Sequence, residues 1–399
     1  MSPHDGGVPP AKVPRLSQVD VLRGFALLGV CMVNAPVLAG AWTLPEGPDA
    51  AAWDRTAAWM VTALFTTKFY LLFAFLFGYS FVFQEASAAR DGVPFARRHA
   101  RRLLGLFLLG LAHAVLLYPG DILMTYAALG LLLYLLRGLD TRALLWTAGA
   151  LVALLTAVFA VIGVVALGLD DVGQVSDGVL QARQTAWYRG DFGTIVHANI
   201  AAYRHAFTGA LLYGPHLLAA MLTGLAAGRR GWLDPERSTA DSPPARAPAR
   251  RRPPDRSVRR SSDGDVQPRT VRRVLLYLGQ AVDVLTAPVL SAAYAAVLLS
   301  LLRGRHAAAL APASRMTLSH YLLQSAVLAF VFTGYGLACY GTVGPAALAC
   351  GCAVLWAAQL ALSAGPLAHV RHGPAEVLLR RITGGRPPAR RSARRRTGG

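Results

Sequence analysis

Apolar residues fall along this chain in long blocks separated by short polar connections. Nine blocks stand out, at 24–43, 56–83, 103–118, 122–136, 143–168, 207–227, 274–302, 316–338 and 343–363. Most approach the roughly 20 apolar residues a helix needs to cross a bilayer core of about 30 Å. The pattern predicts an all-α fold: a polytopic transmembrane helix bundle of about 9–10 spans. The first block is no cleavable signal peptide, since it is long, carries Asn34 and Pro36, and lacks a small-residue cleavage pattern. Only Pro119-Gly120-Asp121 separates the third block from the fourth, which predicts a tight helical hairpin. Block 56–83 is too long for one crossing, so Thr56–Thr67, with Trp59, is expected at the interface or on a tilted extension. Gly279, Asp283 and Pro288 interrupt 274–302 and predict a broken or re-entrant helix.

Composition agrees with the pattern. Hydrophobic residues make up 54% of the 399 and charged residues 15%, against about 25% charged in soluble proteins. That excludes a disordered chain and a disulfide-stapled secreted domain and argues against a soluble enzyme. The net charge of +19 is almost all arginine, Lys12 and Lys68 being the two lysines. These arginines sit at the ends of apolar runs and in Pro-rich stretches, which speaks against a nucleic-acid partner. Cys31, Cys339, Cys350 and Cys352 lie in or beside apolar blocks and read as small hydrophobes.

Loop charge sets an expected orientation. The basic segments are 1–23, 84–102, 137–142 and 229–273, the last with thirteen arginines against six acids. The connection 44–55 holds Glu46, Asp49 and Asp54 against Arg55. The N-terminus is therefore expected in the cytoplasm. A single span at 274–302 would send Arg303, Arg305, Arg315 and the nine arginines of 365–399 outside, so an even number of crossings with both ends cytoplasmic is expected. Four regions follow: a bundle over 1–237, a disordered basic loop over 238–273, a second membrane region over 274–383 and a basic tail over 384–399.

Four stretches resemble the YeiB family, a bacterial membrane family catalogued as domain of unknown function 418. They are Arg15 through Asp20 and Arg23-Gly24 to Val33-Asn34; Lys68 to Gly78; Gly110 to His113 with Gly120-Asp121 and Tyr126; and Ser314 through His320 and Gln324 to His372-Gly-Pro-Ala-Glu376. The opening also looks like the first helix of transmembrane acyltransferases of the heparan-glucosaminide acetyltransferase type. There a basic residue precedes a polar one, often His, by eleven positions; here the pair is Arg23 and Asn34, about 16 Å apart on a helix. The resemblance implies a multi-pass protein of the bacterial plasma membrane, with acyl transfer from acyl-CoA as one activity. Three departures accompany it. Asn34 does not titrate near neutral pH, residues 35–54 hold no histidine, and an Arg/Pro segment stands where two ordinary helices would be.

Polar groups at membrane depth are the candidate site. His113 is the candidate base, since imidazole titrates near neutrality; the alternative is a hydrogen-bonded packing residue. Asp121 either caps the following helix or orients an imidazole; eight residues separate it from His113, about 12 Å on a helix, so contact needs the chain to fold back. Asn34 is placed to hydrogen-bond a thioester carbonyl. Lys68 either snorkels to the interface or meets an anionic substrate. Arg23 and the arginines of 97–102 face a donor's phosphates. His320 and Gln324, one helical turn apart, either line a substrate path or hold helices together. His216 and Asp283 carry weaker signals, and Gly224 to Gly228 is a GxxxG packing motif.

No Walker loop, dinucleotide fingerprint, HExxH, GxSxG or Cys/His zinc spacing occurs. No bound metal or cofactor is expected beyond acyl-CoA as a donor substrate. Three functions stay open: acyl transfer, transport of a small anion, and a non-catalytic membrane role. The expected partners are the lipid bilayer, anionic headgroups at the basic loops and a second copy of the chain.

Overall fold

The computed structural model describes residues 18–40, 51–168, 177–233, 269–301, 310, 313–370 and 372–384. Among them every regular element is helical. The elements are α1 Gln18–Ala39, α2 Ala52–Leu64, α3 Lys68–Arg90, α4 Phe95–Leu116, α5 Leu123–Leu136 and α6 Thr141–Val165. They continue as α7 Asp177–Tyr188, α8 Phe192–Arg230, α9 Arg269–Leu301, α10 Thr317–Phe332, α11 Pro345–Ala364 and α12 Pro374–Gly384. Seven segments are long and apolar enough to cross a membrane, α2 and α3 counted together, and α5 and α10 are shorter apolar helices. This is an integral membrane protein with an all-α polytopic bundle.

Packing contacts set the direction of each helix. The basic end of the bundle gathers the start of α1, the α3–α4, α5–α6 and α8 termini, and α12. There Arg229 donates to the carbonyls of Leu139 and Arg137, and Leu379 and Ile382 of α12 cover Gly105 of α4. The opposite end joins Ala39 to Gly341 and Tyr188 to Gly334 through backbone hydrogen bonds. Gly163, near the end of α6, meets Tyr277 and Leu278 near the start of α9, while Tyr294 and Leu298 pack with Val19, Leu76 and Tyr79 toward the basic end. Hence α9 runs antiparallel to α6 and in the same direction as α8. Arg315 and α12 accordingly return to the basic end, where α1 also starts. The Arg/Pro stretch up to residue 268, together with Arg303, Arg305 and the tail beyond residue 384, lies outside the described residues.

One sequence expectation is revised here. Block 274–302 is neither broken nor re-entrant: α9 is one continuous helix through Gly279, Asp283 and Pro288. Pro288 removes one amide and strips the Val284 carbonyl of its intrahelical donor. His216 of α8 lies beside the Val284 backbone, although neither ring nitrogen reaches hydrogen-bond geometry. Block 56–83 does divide, with α2 separated from α3 at residues 65–67, where Thr67 takes φ +68°. α2 buries no residue and turns Trp53 and Trp59 outward, as an interfacial helix does.

Candidate active site

The site is built where α1, α3, α4, α5 and α10 meet. α4 ends at Leu116, and the amides of Leu117 and Tyr118 both donate to the His113 carbonyl, closing the helix in a tight turn. The chain then folds back through Gly120 and Asp121 into α5. His113 Nδ1 lies 2.8 Å from Asp121 Oδ1, with both side chains buried. Asp121 also accepts the Met124 amide through Oδ2 at 2.8 Å. Capping and imidazole orientation, open alternatives in sequence, are thus held by one carboxylate. The approach depends on Gly110, where a Cβ would lie 2.5 Å from Asp121 Oδ2.

With Asp121 as acceptor, the geometry fits a proton on Nδ1, so that in a neutral imidazole Nε2 is the lone-pair nitrogen. Nε2 is buried and makes no hydrogen bond among the described residues. The Tyr321 ring packs 4.9 Å from the imidazole and the Tyr118 ring edges it at 6.0 Å. Asn34 lies beside them: its Oδ1 accepts the hydroxyls of Tyr70 at 2.6 Å and Tyr118 at 3.3 Å. Tyr126 donates to the Tyr70 carbonyl at 3.0 Å. His113, Asp121 and Asn34 therefore share one cluster. Tyr70, Tyr118 and Tyr321 belong to it as well and were missed in the sequence, because a tyrosine in an apolar run carries no mark distinguishing a site from a core.

A cavity of about 360 Å³ reaches this cluster from the side of α2. Met32, Val37, Val61 and Leu348 supply apolar walls, and Tyr70 and Tyr118 stand where the cavity meets the Asn34 network.

The remaining predicted residues sort differently. Lys68 neither snorkels nor faces open space. It is 5% exposed and its Nζ pairs with Asp283 of α9, so a carboxylate of this chain already answers the charge expected to meet substrate. His320 contacts Ser363 at 2.7 Å through Nε2, Gln324 donates to Gln359 at 2.8 Å, and Gln359 donates to the His320 carbonyl. These contacts tie α10 to α11, away from the imidazole of His113. At the basic end, Arg23 donates to Ser80 and lies 3.7 Å from Asp20. Arg102 of α4 lies within electrostatic reach of Arg23 and Arg98, and its buried Nε has no acceptor among the described residues. No group of metal-ligating side chains occurs among the described residues.

Comparison with known proteins bears on the same regions. Residues 269–386 match the model of a family described as protein of unknown function DUF418. The chain is 29% identical to the uncharacterized protein YxaH of Bacillus subtilis over 394 residues, covering 92% of this chain and 94% of that protein. It is 26% identical to the uncharacterized protein YeiB of Escherichia coli, covering 92% of this chain and 95% of that one. The chain is thus similar to the YeiB-like DUF418 proteins, by the family match in its C-terminal part and by alignment over most of its length. The segment matched by the family model supplies Tyr321 to the cluster, whereas His113, Asp121 and Asn34 come from the part before it. An uncharacterized 39.9 kDa protein of Bacillus acidopullulyticus is 36% identical over 146 residues, 37% of this chain and 40% of that protein. No solved structure matches the chain.

Proposed function

We propose that this protein is a membrane-embedded acyltransferase in which His113 is the general base. The observation that carries the reading is the buried imidazole whose Nδ1 is fixed by Asp121 while Nε2 stays free of protein partners. In the proposed reaction Nε2 takes the proton of an acceptor hydroxyl or amine as its heteroatom attacks the thioester carbonyl. The carbon–sulfur bond then breaks and the imidazolium returns the proton to the thiolate. Asn34 Oδ1 is occupied by two tyrosines, which leaves its amide nitrogen to donate to the carbonyl oxygen as negative charge develops.

The donor would enter from the basic end, which loop charge assigns to the cytoplasm. Arg23 and Asn34 on α1, and Arg102 and His113 on α4, are each eleven residues apart. Eleven residues are just over three turns, so each pair shares a helix face about 16 Å apart. Phosphates held by Arg23 and Arg102 would leave a coenzyme A arm extended toward His113. Passage of a small anion is the second reading, but Lys68, its natural central charge, is neutralised by Asp283.

The test combines binding with turnover. Purified protein should gain thermal stability from acyl-CoA through ligand linkage. His113→Gln should keep that gain while losing about 10²–10⁴-fold in transfer, the usual contribution of a general base. A Gln variant that turns over at the wild-type rate makes His113 structural; no stabilisation by any thioester removes the donor.

A further inference from the structure

We propose that the acceptor is an amphiphile, an alcohol or amine on a hydrocarbon chain, whose chain occupies the cavity beneath α2. The proposal rests on the base reading of His113 and adds the substrate class.

The cavity of about 360 Å³ falls within the size of small-ligand sites, roughly 300–1,000 Å³. Its walls come from α1, α2 and α11 and are largely apolar, with Thr62 and Thr66 as the hydroxyls near its edge. A polyhydroxylated acceptor such as a sugar would bury groups here without partners, at a high cost in free energy. A hydrocarbon chain loses nothing by entering. The polar contacts that could orient a ligand concentrate at the inner wall, where Tyr70 and Tyr118 donate to Asn34 and the Tyr118 ring edges His113. An amphiphile with its chain in the cavity therefore brings its hydroxyl or amine to the side of the base.

The way in suits the same class. Val37 and Thr62 line the cavity and are themselves exposed, so it opens between α1 and α2. α2 forms that wall without burying a residue, and it presents Trp53, Trp59 and Met60 outward. A helix of this kind lies at the boundary of hydrocarbon and water, where a lipid's headgroup and upper chain also lie. The Asp54 carboxylate accepts the Ala346 amide at 2.9 Å and ties α2 to the start of α11.

The experiment is photolabelling of the full chain in nanodiscs with a diazirine-bearing fatty alcohol, followed by peptide mapping. Label is expected on α1, α2 and α11, competed by dodecanol and not by glycerol or glucose. Ala349→Trp, which fills the cavity from α11, and Val61→Trp, which fills it from exposed α2, should each reduce that label at least tenfold. Only variants whose unfolding temperature matches wild type are compared. His113→Gln should label like wild type. Equal labelling of both tryptophan variants, or competition by glycerol, overturns the proposal. Specific labelling in a protein that transfers no acyl group from any thioester leaves the amphiphile site standing and removes the base reading, so the two fail separately.

Discussion

Lys68 and Asp283 form a charge pair between α3 and α9, with Lys68 buried and the Asp283 side chain 25% exposed. Removing one partner of a buried pair leaves the other uncompensated, which costs about 3–5 kcal/mol. The part-exposure of Asp283 puts Lys68→Met near the lower end, about 3 kcal/mol on the same scale. The double variant Lys68→Met with Asp283→Leu should recover most of that loss in a chemical-denaturation series. Recovery identifies the pair as structural, whereas a double variant as unstable as the single one shows that Lys68 acts through another group. Asp191 offers a milder residue-scale test. It caps α8 outside the membrane segment, and hydrogen bonds from Thr194 hold its carboxyl below the ordinary aspartate range. A depressed carboxyl stabilises fully above its unfolded-state value and loses that contribution as pH falls through the folded one. Exchange of the Thr194 amide should therefore quicken, relative to its intrinsic rate, at pH below the ordinary aspartate range. Asp191→Asn should remove that pH dependence.

Among the elements, the α3–α8 contact is the tightest seam. A Cβ on Gly78 would fall 1.9 Å from the Met221 carbonyl oxygen, and one on Gly224 would fall 2.0 Å from that of Phe75. Both clashes are with backbone, so relief requires the helices to separate, and in a membrane such close approach is what holds them. Gly78→Ala or Gly224→Ala should destabilise the protein by about 1–3 kcal/mol, the usual range for overpacking. Gly149→Ala is the control, since nothing lies near its Cβ. Unfolding midpoints that fall for the first two and hold for the third are the expected result.

For the molecule as a whole, the decisive feature is that α8 and α9 run the same way. It returns α10 and α12 to the basic end, beside the start of α1. Loop charge leads us to expect that end in the cytoplasm. Reporters fused at residues 138 and 386 should both report cytoplasm, and one at residue 342 the opposite compartment. A cytoplasmic signal from residue 342 together with an external one from 386 would invert the arrangement of α10 and α11.

The sequence by itself determined the class of the fold and most of its helices, because a bilayer sets the length of an apolar helix and allows little else to span it. It also marked His113, Asp121, Asn34 and Arg23, since polar groups stand out against an apolar background. Tertiary structure decided what each of them meets. Two local rules misled at α9, where Pro288 and Gly279 read as breaks although neighbouring helices hold the segment continuous. Lys68 read as snorkelling or as meeting an anionic substrate, because its partner Asp283 lies 215 residues away. His320 and Gln324 were open between a substrate path and helix packing, and their contacts with Ser363 and Gln359 fit packing. The contact between His113 and Asp121 follows from a tight turn and from the space left at Gly110. Spacing along a chain gives distances within a helix. Only packing gives distances between helices, and the candidate site is made almost entirely of the second kind.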